Sequence, residues 1–339
     1  MHRRLPVYLV LDISESMIGE PITILQNGVA HLIKTLKKNP YALESMFVSI
    51  ITFASKATVI SPLTELTQFT CPPLSVRPGT SLGAALSLVK KQIEKEVVKN
   101  TPTSKGDFKP LVFILTDGEP TDNWKEPLAG LQGTKPVPNI IAVGCGEEVD
   151  FGVLVQISET AINISDITED TIYKFFTWMS TSVGRHSEAL TENKPEISLL
   201  KTKLPGGISL VKASDVPKKK APPKVFLTAT CSRTKKKYAL IYRYQPVTEM
   251  YLAFRAYPLP EDFPMDEAFK APSVEMSKLV GTPHCPFCGA ELWYHCGVCD
   301  NLICLKLDEL DKSVTCPICQ NSSKLGGGGS GINLKGTIG

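Results

Sequence analysis

The chain has 339 residues, of which 42% are hydrophobic and 21% charged, and its formal net charge is +3. This composition is ordinary for a soluble globular protein, and the length predicts two or three domains. No stretch reaches the roughly 18 to 20 uninterrupted apolar residues of a membrane span, and the basic start lacks the cleavage site of a signal peptide. We therefore expect a cytoplasmic protein whose thiols stay reduced.

Strand-like and helix-like segments alternate through the first half of the chain. The predicted strands lie at 6–11, 47–53, 58–63, 111–115, 140–143 and 161–165. The predicted helices lie at 22–38, 81–98 and 169–185. This alternation predicts an α/β fold with a doubly wound, mostly parallel sheet in a domain spanning 1–190. Its strands are almost continuously apolar, as expected when helices cover both faces of the sheet.

Oxygen-bearing side chains follow two of these strands and open one helix. Asp12, Ser14 and Ser16 follow the first strand, Thr80 opens the second helix, and Asp117 follows the fourth strand. Ligands of open parallel sheets bind outside the carboxyl ends of the strands. Taken alone, each of these segments is more typical of a helix cap or a turn than of a metal site. Together their hard oxygen donors predict a site for Mg²⁺ or Mn²⁺.

The sequence Asp-x-Ser-x-Ser, the Gly-Thr-Ser context of Thr80 and the Thr-Asp-Gly at Asp117 resemble the metal-ion-dependent adhesion site of von Willebrand factor A domains. The resemblance covers roughly the first 190 residues. It implies that Ser14, Ser16 and Thr80 bind Mg²⁺ directly, and that Asp12 and Asp117 act directly or through water. It also implies one open coordination position for an acidic residue of a protein partner.

A basic stretch follows the predicted A domain. Residues 191–224 are rich in Pro and Lys, which predicts a partly flexible linker. A small β-rich segment follows at 225–282, with predicted strands at 225–230, 238–244 and 251–256. We interpret the Lys residues as a solvated linker and a hairpin tip rather than a nucleic-acid patch, because no motif for reading nucleic acid accompanies them.

Seven of the ten cysteines lie between Cys285 and Cys319. Paired Cys-x-x-Cys turns in a reduced protein predict structural zinc, so we expect a zinc-ribbon-like module at 283–322 with one or two ions. The predicted first site comprises Cys285, Cys288, Cys316 and Cys319. The predicted second site comprises Cys296, Cys299, Cys304 and His295, with His284 as a rival to His295. A sequential pairing of the cysteines is also open, whereas the position of His295 disfavours a RING finger.

The order of an A domain, a small strand-rich segment and a zinc module resembles the TerY proteins of bacterial tellurium-resistance loci. The resemblance implies a cytoplasmic protein that works with a serine/threonine kinase and a PP2C-type phosphatase. The setting that it implies is tellurium resistance, another stress response or defence against phage. From the residues themselves we expect a non-catalytic adaptor.

Enzyme motifs are missing from the sequence. It contains five His and no nucleophile elbow, zinc-protease helix or glycine-rich phosphate loop. Two alternatives remain open: a Mg²⁺-dependent phosphohydrolase that uses Asp12 and Asp117, and a zinc-dependent nucleic-acid-binding protein. The Gly-rich tail at 323–339 is predicted to be flexible, and it is also consistent with an expression scar.

Overall fold

A computed structural model describes the fold over most of the chain. The described residues are 3–117, 119–146, 149–158, 160–191, 203–216, 224–264, 273–310, 313–324, 333–335 and 337–338. They form two compact units, the first within 1–75 and 80–221 and the second within 76–79 and 222–339. Within the described ranges, no helix combines the length and the apolarity needed to pass through a bilayer.

The first unit is a seven-stranded sheet with helices on both faces. Its strands are β1 Leu5–Asp12, β2 Met46–Phe53, β3 Ala57–Glu65, β4 Leu111–Thr116, β5 Asn139–Cys145, β6 Thr160–Ile164 and β7 Ile208–Lys212. Its helices are α1 Glu20–Leu36, α2 Pro40–Ser45, α3 Leu82–Glu96, α4 Lys125–Gln132, α5 Phe151–Ser158 and α6 Glu169–Thr191. The strand order is β3-β2-β1-β4-β5-β6-β7, parallel except for the edge strands β3 and β7. The predicted α/β class is confirmed.

Burial on both faces explains the apolar composition of the central strands. Every residue of β1 and β4 is buried, and α3, α4 and α5 contribute to the core on one face of the sheet. Helices α1 and α6 pack closely at Gly28, where an added Cβ would lie 2.5 Å from the ring of Phe176. A larger residue at this position would push the two helices apart, so the glycine fixes their approach.

The predicted linker at 191–224 contains a strand. β7 pairs antiparallel with β6, from Thr160 opposite Lys212 to Ile164 opposite Ile208. Only Ile208 of β7 is buried, so the strand depends on the β6 ladder more than on its own apolar residues. This is why composition alone predicted a linker here. The rest of that segment, at 192–202 and 217–223, lies outside the described residues.

The second unit is built mainly from short strands. These are β8 Lys224–Thr230, β9 Lys237–Gln245, β10 Met250–Pro258, β11 Ser273–Glu275, β12 Leu279–Val280, β13 Leu292–His295, β14 Leu302–Leu305, β15 Ser313–Thr315, β16 Ser322–Lys324, β17 Asn333–Lys335 and β18 Thr337–Ile338. The main sheet has the order β12-β10-β9-β8-β14-β13, and β18 pairs with β8.

This sheet crosses two predicted boundaries. β8, from the predicted β-rich segment, pairs in parallel with β14, from the predicted zinc module, so the two segments form one unit. The tail also contributes strands, because β17 pairs with β11 and β18 pairs with β8. Residues 325–332 of the tail lie outside the described residues. The tail prediction is therefore corrected at 333–335 and 337–338.

Candidate metal centres

The predicted oxygen donors meet where the strand order of the first sheet reverses. β1 and β4 are parallel neighbours with Leu11 opposite Leu115, so Asp12 and Thr116 leave the sheet side by side. From this pair the order runs to β3 in one direction and to β7 in the other. Such a reversal opens a crevice outside the carboxyl ends of the strands. The topology thus places the donors where α/β proteins bind ligands.

A chain of hydrogen bonds joins four of the five predicted donors. The backbone N–H of Ser14 donates to Oδ1 of Asp12 at 2.9 Å, and the Oγ atoms of Ser14 and Ser16 are 2.9 Å apart. The Ser16 hydroxyl donates to Oδ1 of Asp117 at 2.6 Å. Asp12 also accepts a hydrogen bond on Oδ2 from the hydroxyl of Thr116. The structure therefore brings Asp12, Ser14, Ser16 and Asp117 into one cluster.

Thr80 is positioned by the loop that precedes α4. Its backbone N–H donates to Oγ1 of Thr121 at 3.3 Å, and the N–H of Thr121 donates to the carbonyl of Thr80 at 2.9 Å. The next residue, Asp122, accepts from the N–H groups of Gly83 and Ala84, both at 2.9 Å, in the first turn of α3. Thr80 is buried, and the contacts that its backbone N–H and carbonyl make with Thr121 fix its position.

Asp12 is a buried carboxylate in an electrostatically unfavourable place. The side chain is 1% exposed, and among the described residues no Lys or Arg lies within ion-pair distance of it. Burial raises the pKa of Asp12 to about 6, although hydrogen bonds from Ser14 and Thr116 act in the opposite direction. A cation at this place would offset the cost of burying the negative charge.

The donor set fits a hard divalent cation. It consists of two carboxylates and three hydroxyls, and oxygen ligands of this kind suit Mg²⁺ and Mn²⁺. Cys145, at the end of β5, is close enough to feel the charges of Asp117 and Asp12, but burial above all raises the pKa of its thiol. A buried neutral thiol is a poor ligand for a hard cation.

The second unit contains two groups of four thiols. The first group is Cys231, Cys285, Cys288 and Cys304, and the second group is Cys296, Cys299, Cys316 and Cys319. Within each group the sulfur atoms lie within 4.8 Å of one another, and three of the pairs are 3.6 Å apart. A tetrahedral Zn²⁺ with Zn–S bonds of about 2.3 Å requires sulfur separations of about 3.8 Å. Both groups can hold zinc.

The structure corrects the predicted grouping of the cysteines. Cys285 and Cys288 join Cys231 and Cys304, whereas Cys316 and Cys319 join the other Cys-x-x-Cys pair. His295 lies in neither group, and its Nε2 is 3.3 Å from Oδ1 of Asp300. The eighth thiol is that of Cys231, which is distant in sequence from the other seven. His284, like His295, is in neither group.

Cys231 begins a turn that has the backbone conformation of the Cys-x-x-Cys knuckles but a single cysteine. In each of four turns, the N–H of the residue four positions after the first cysteine donates to that cysteine's carbonyl, at 2.9 to 3.0 Å. The same residue has a positive φ in each turn: Lys235, Gly289, Asp300 and Gln320. Thr234 occupies the second cysteine position of the first turn, and its N–H donates to the Cys231 sulfur at 3.4 Å. Cys304 on β14 supplies the fourth thiol.

The sequence contained one signal for Cys231. Seven clustered cysteines are one short of two four-thiol sites, and a cysteine outside the cluster would complete the eight as well as a histidine would. The N–H of Ser232 donates to the Cys304 sulfur at 3.2 Å, which ties the Cys231 turn to β14. Such contacts orient ligands and favour the thiolate form that binds metal.

Comparison with known protein families identifies both units. The von Willebrand factor type A domain matches residues 7–179, and the TerY-C metal binding domain matches residues 223–339. A comparison with curated proteins returned no match.

Solved structures with a similar fold have low sequence identity to the chain. They include proximal thread matrix protein 1 of the mussel byssus, at 15% identity and a TM-score of 0.38, covering 51% of this chain and 46% of that chain. A von Willebrand factor type A protein from Catenulispora acidiphila has 13% identity and a TM-score of 0.41, covering 78% and 53%. The PilB minor pilin from Streptococcus sanguinis has 11% identity and a TM-score of 0.42, covering 57% and 64%. The chain thus spans less than two thirds of each of these proteins.

The first domain match covers just over half of the chain and coincides with the doubly wound sheet, and the second coincides with the unit that holds the eight clustered thiols. The chain therefore belongs to the von Willebrand factor type A family and carries a TerY-C metal binding domain after its A domain.

Proposed function

We propose that the protein is a non-catalytic adaptor that captures an acidic residue of a protein partner through Mg²⁺. The observation that carries this proposal is the hydrogen-bonded cluster of Asp12, Ser14, Ser16 and Asp117 at the reversal of the sheet order. In the adaptor, Ser14, Ser16 and Thr80 hold the ion directly, and the two carboxylates act directly or through water.

The balance of charges in the donor set favours capture over catalysis. Three of the five donors are neutral hydroxyls, so they leave the ion less neutralised than carboxylates would. The five donors also leave one position of an octahedral ion open to an anion from outside. A carboxylate from a partner fills that position. A hydrolytic site would in addition need a positioned general base. In each zinc site four thiolates fill the tetrahedron, whereas a catalytic zinc keeps a position open.

We infer that the partners are a serine/threonine kinase and a PP2C-type phosphatase of a cytoplasmic tellurium-resistance, stress-response or anti-phage system. The match of the second unit to the TerY-C metal binding domain supports this setting. In this arrangement the A domain provides the Mg²⁺-dependent contact, and the zinc sites give the second unit a stable surface.

The proposal is tested by capturing partners from lysate of the native host on the immobilised full chain. Buffers with and without Mg²⁺ replace chelation, because a chelator would also remove zinc. Asp12→Ala and the double variant Ser14→Ala/Ser16→Ala should lose the captured proteins, and mass spectrometry should identify a kinase and a phosphatase. Asp166→Ala is the matched control, because Asp166 is an exposed carboxylate beyond β6 in the same unit.

Two results would count against the adaptor. One is capture that persists without Mg²⁺ and in the Asp12→Ala variant. The other is phosphatase, nuclease or ATPase turnover by the purified chain that Asp12→Ala abolishes and that survives removal of co-purifying enzymes.

A further inference from the structure

The sheet of the second unit has a face that lies opposite its main core. Tyr242 and Ala253, which are paired across β9 and β10, point into the core that contains the first thiol group. Side chains alternate along a strand, so their neighbours Arg243 and Leu252, also a pair, point to the opposite face.

A β-bulge brings further residues to this face. The register of β10 shifts between Ala253 and Arg255, and Arg255 lies opposite Ile241, two residues from Arg243 on β9. The extra residue is Phe254. In a bulge two successive residues oppose one, so Phe254 and Arg255 are directed to the same side. We call the exposed set Arg243, Leu252, Phe254 and Arg255 the arginine–phenylalanine patch.

The patch is a stack of guanidinium groups on one half-exposed ring. The Cζ of Arg243 lies 3.5 Å from the centroid of the Phe254 ring, and that of Arg255 lies 5.2 Å from the same centroid. Nη1 of Arg255 donates to the hydroxyl of Tyr257 at 2.9 Å. Phe254 and Leu252 are each 39% exposed. Among the described residues, no carboxylate lies within ion-pair distance of Arg243.

A stacked guanidinium has a defined chemistry. Its plane is held against the ring, so its N–H groups point outward from the edges as a rigid fork that matches a carboxylate or a phosphate. The ring also restricts the arginine before binding, which lowers the entropy lost on capture. We propose that the arginine–phenylalanine patch binds an acidic or phosphorylated segment of a protein partner, independently of the Mg²⁺ site.

The surroundings favour a protein segment over single-stranded nucleic acid. Proteins that bind single strands stack successive bases on several aromatic side chains. This patch has one ring, and a guanidinium already covers it. Leu252 instead offers an apolar contact. Among the described strands, β12 pairs with β10 at Tyr251 and Leu252, beside the patch.

The test is fluorescence anisotropy on the full zinc-loaded chain in a buffer without Mg²⁺. The probes are a short labelled peptide of glutamate and leucine, the same peptide with glutamine for glutamate, a third with phosphoserine for glutamate, and oligothymidine. The glutamate and phosphoserine peptides should bind and the glutamine peptide should not. Comparing the two anionic peptides shows which anion the patch prefers. Loss of a charge-assisted fork should weaken binding at least about tenfold in Arg243→Gln.

Matched variants separate the patch from general charge and from the Mg²⁺ site. Arg243→Lys keeps the charge without the planar fork and should recover only part of the affinity, and Phe254→Ala should weaken binding by removing the ring. Arg185→Gln, which changes an exposed arginine of the first unit, and Asp12→Ala should bind as the wild type does. The proposal is overturned if Arg243→Gln binds unchanged, if neither anionic peptide binds at millimolar protein, or if oligothymidine binds more tightly than both.

Discussion

Asp12 combines a cost to the fold with a use for the site. Both of its carboxylate oxygens accept hydrogen bonds from the protein, yet burial still holds its pKa well above the ordinary value. A carboxylate on the surface near β1 would stay hydrated and would cost the fold little. However, it would bind a cation weakly because water competes for the ion. The metal-free protein therefore carries an unfavourable charge that a bound cation would neutralise.

Replacing Asp12 with asparagine should stabilise the metal-free protein at neutral pH. The folded state holds the Asp12 proton up to about pH 6, whereas the unfolded chain releases it near pH 4. The contribution of the Asp12 carboxyl to the free energy of unfolding is thus fully present below pH 4, and it is lost as the pH rises through 6. At pH 7 the free energy of unfolding of Asp12→Asn should exceed that of the wild type by about 1 to 3 kcal/mol, and the gap should close towards pH 4.

Denaturant unfolding of the metal-free proteins across this pH range measures the gap, with Asp166→Asn as the control. Added Mg²⁺ should then raise the stability of the wild type and not that of Asp12→Asn. A variant that is less stable than the wild type at pH 7 without metal would show that the hydrogen bonds outweigh the cost of burial.

Thr116 acts on the site through Asp12. Its hydroxyl donates to the carboxylate oxygen that Ser14 leaves free. Thr116→Val keeps the shape of the side chain and removes the donor, so the carboxylate is less well oriented. Partners of this kind typically contribute 10- to 100-fold to metal affinity, and we expect at least about a tenfold loss of Mn²⁺ affinity by electron paramagnetic resonance. Thr67→Val, an exposed threonine of the same unit, should leave the affinity unchanged.

At the scale of elements, four turns with one backbone conformation divide into two metal sites. The turns that begin at Cys231 and Cys285 serve the first site, and those that begin at Cys296 and Cys316 serve the second. The first site lies within the larger core of the second unit, and the second lies within a smaller cluster around Tyr294 and Ile303. Losing the first ion should therefore disturb more of the unit than losing the second.

Cys231→Ser tests this assignment directly. The variant should lose one of two zinc ions per chain and should unfold β8, β9 and β14, because the first site joins their ends. His295→Gln should keep both ions, since His295 lies outside both groups. Metal analysis and circular dichroism measure the two effects. Full zinc content in Cys231→Ser together with loss of zinc in His295→Gln would restore the grouping predicted from sequence.

Predictability differed between elements for a physical reason. The buried residues of β1, β4 and α1 are apolar, and they are consecutive in the strands and periodic in the helix. A local sequence pattern was therefore enough to predict these elements. β7 has one buried residue and is held by its pairing with β6, which no local pattern contains. The helix at α4 is short and has two buried residues, so its periodicity was too weak to predict. The division of cysteines depends on β8 lying beside β14, a contact between distant segments.

At the scale of the whole molecule, the two units carry different kinds of metal donor. The hard oxygen donors lie in the unit matched by the A domain, and the thiols lie in the unit matched by the TerY-C domain. A ligand that binds only the folded state of one unit stabilises that unit by mass action. Each metal should accordingly govern its own part of the unfolding curve.

Calorimetry of the full chain should show two transitions that respond separately. Mg²⁺ should raise the midpoint of the first unit, and a zinc-selective chelator should lower or abolish the transition of the second, since thiolate zinc sites contribute binding free energy to folding. Asp12→Ala should remove the response to Mg²⁺ and leave the response to the chelator. A single transition that both treatments shift equally would show that the two units unfold as one.

The interleaving of the zinc ligands has a consequence for the newly made chain. The two Cys-x-x-Cys pairs nearest in sequence, at Cys285 and Cys296, belong to different sites. During synthesis these four thiols leave the ribosome before Cys304 and Cys316. They are enough to coordinate one zinc ion, although in the folded protein they belong to two different groups. We therefore expect an ion that arrives early to bind these four thiols, and to be transferred to the native sites once the remaining cysteines emerge. The yield of correctly loaded protein should thus depend on when zinc meets the chain as well as on how much zinc is present.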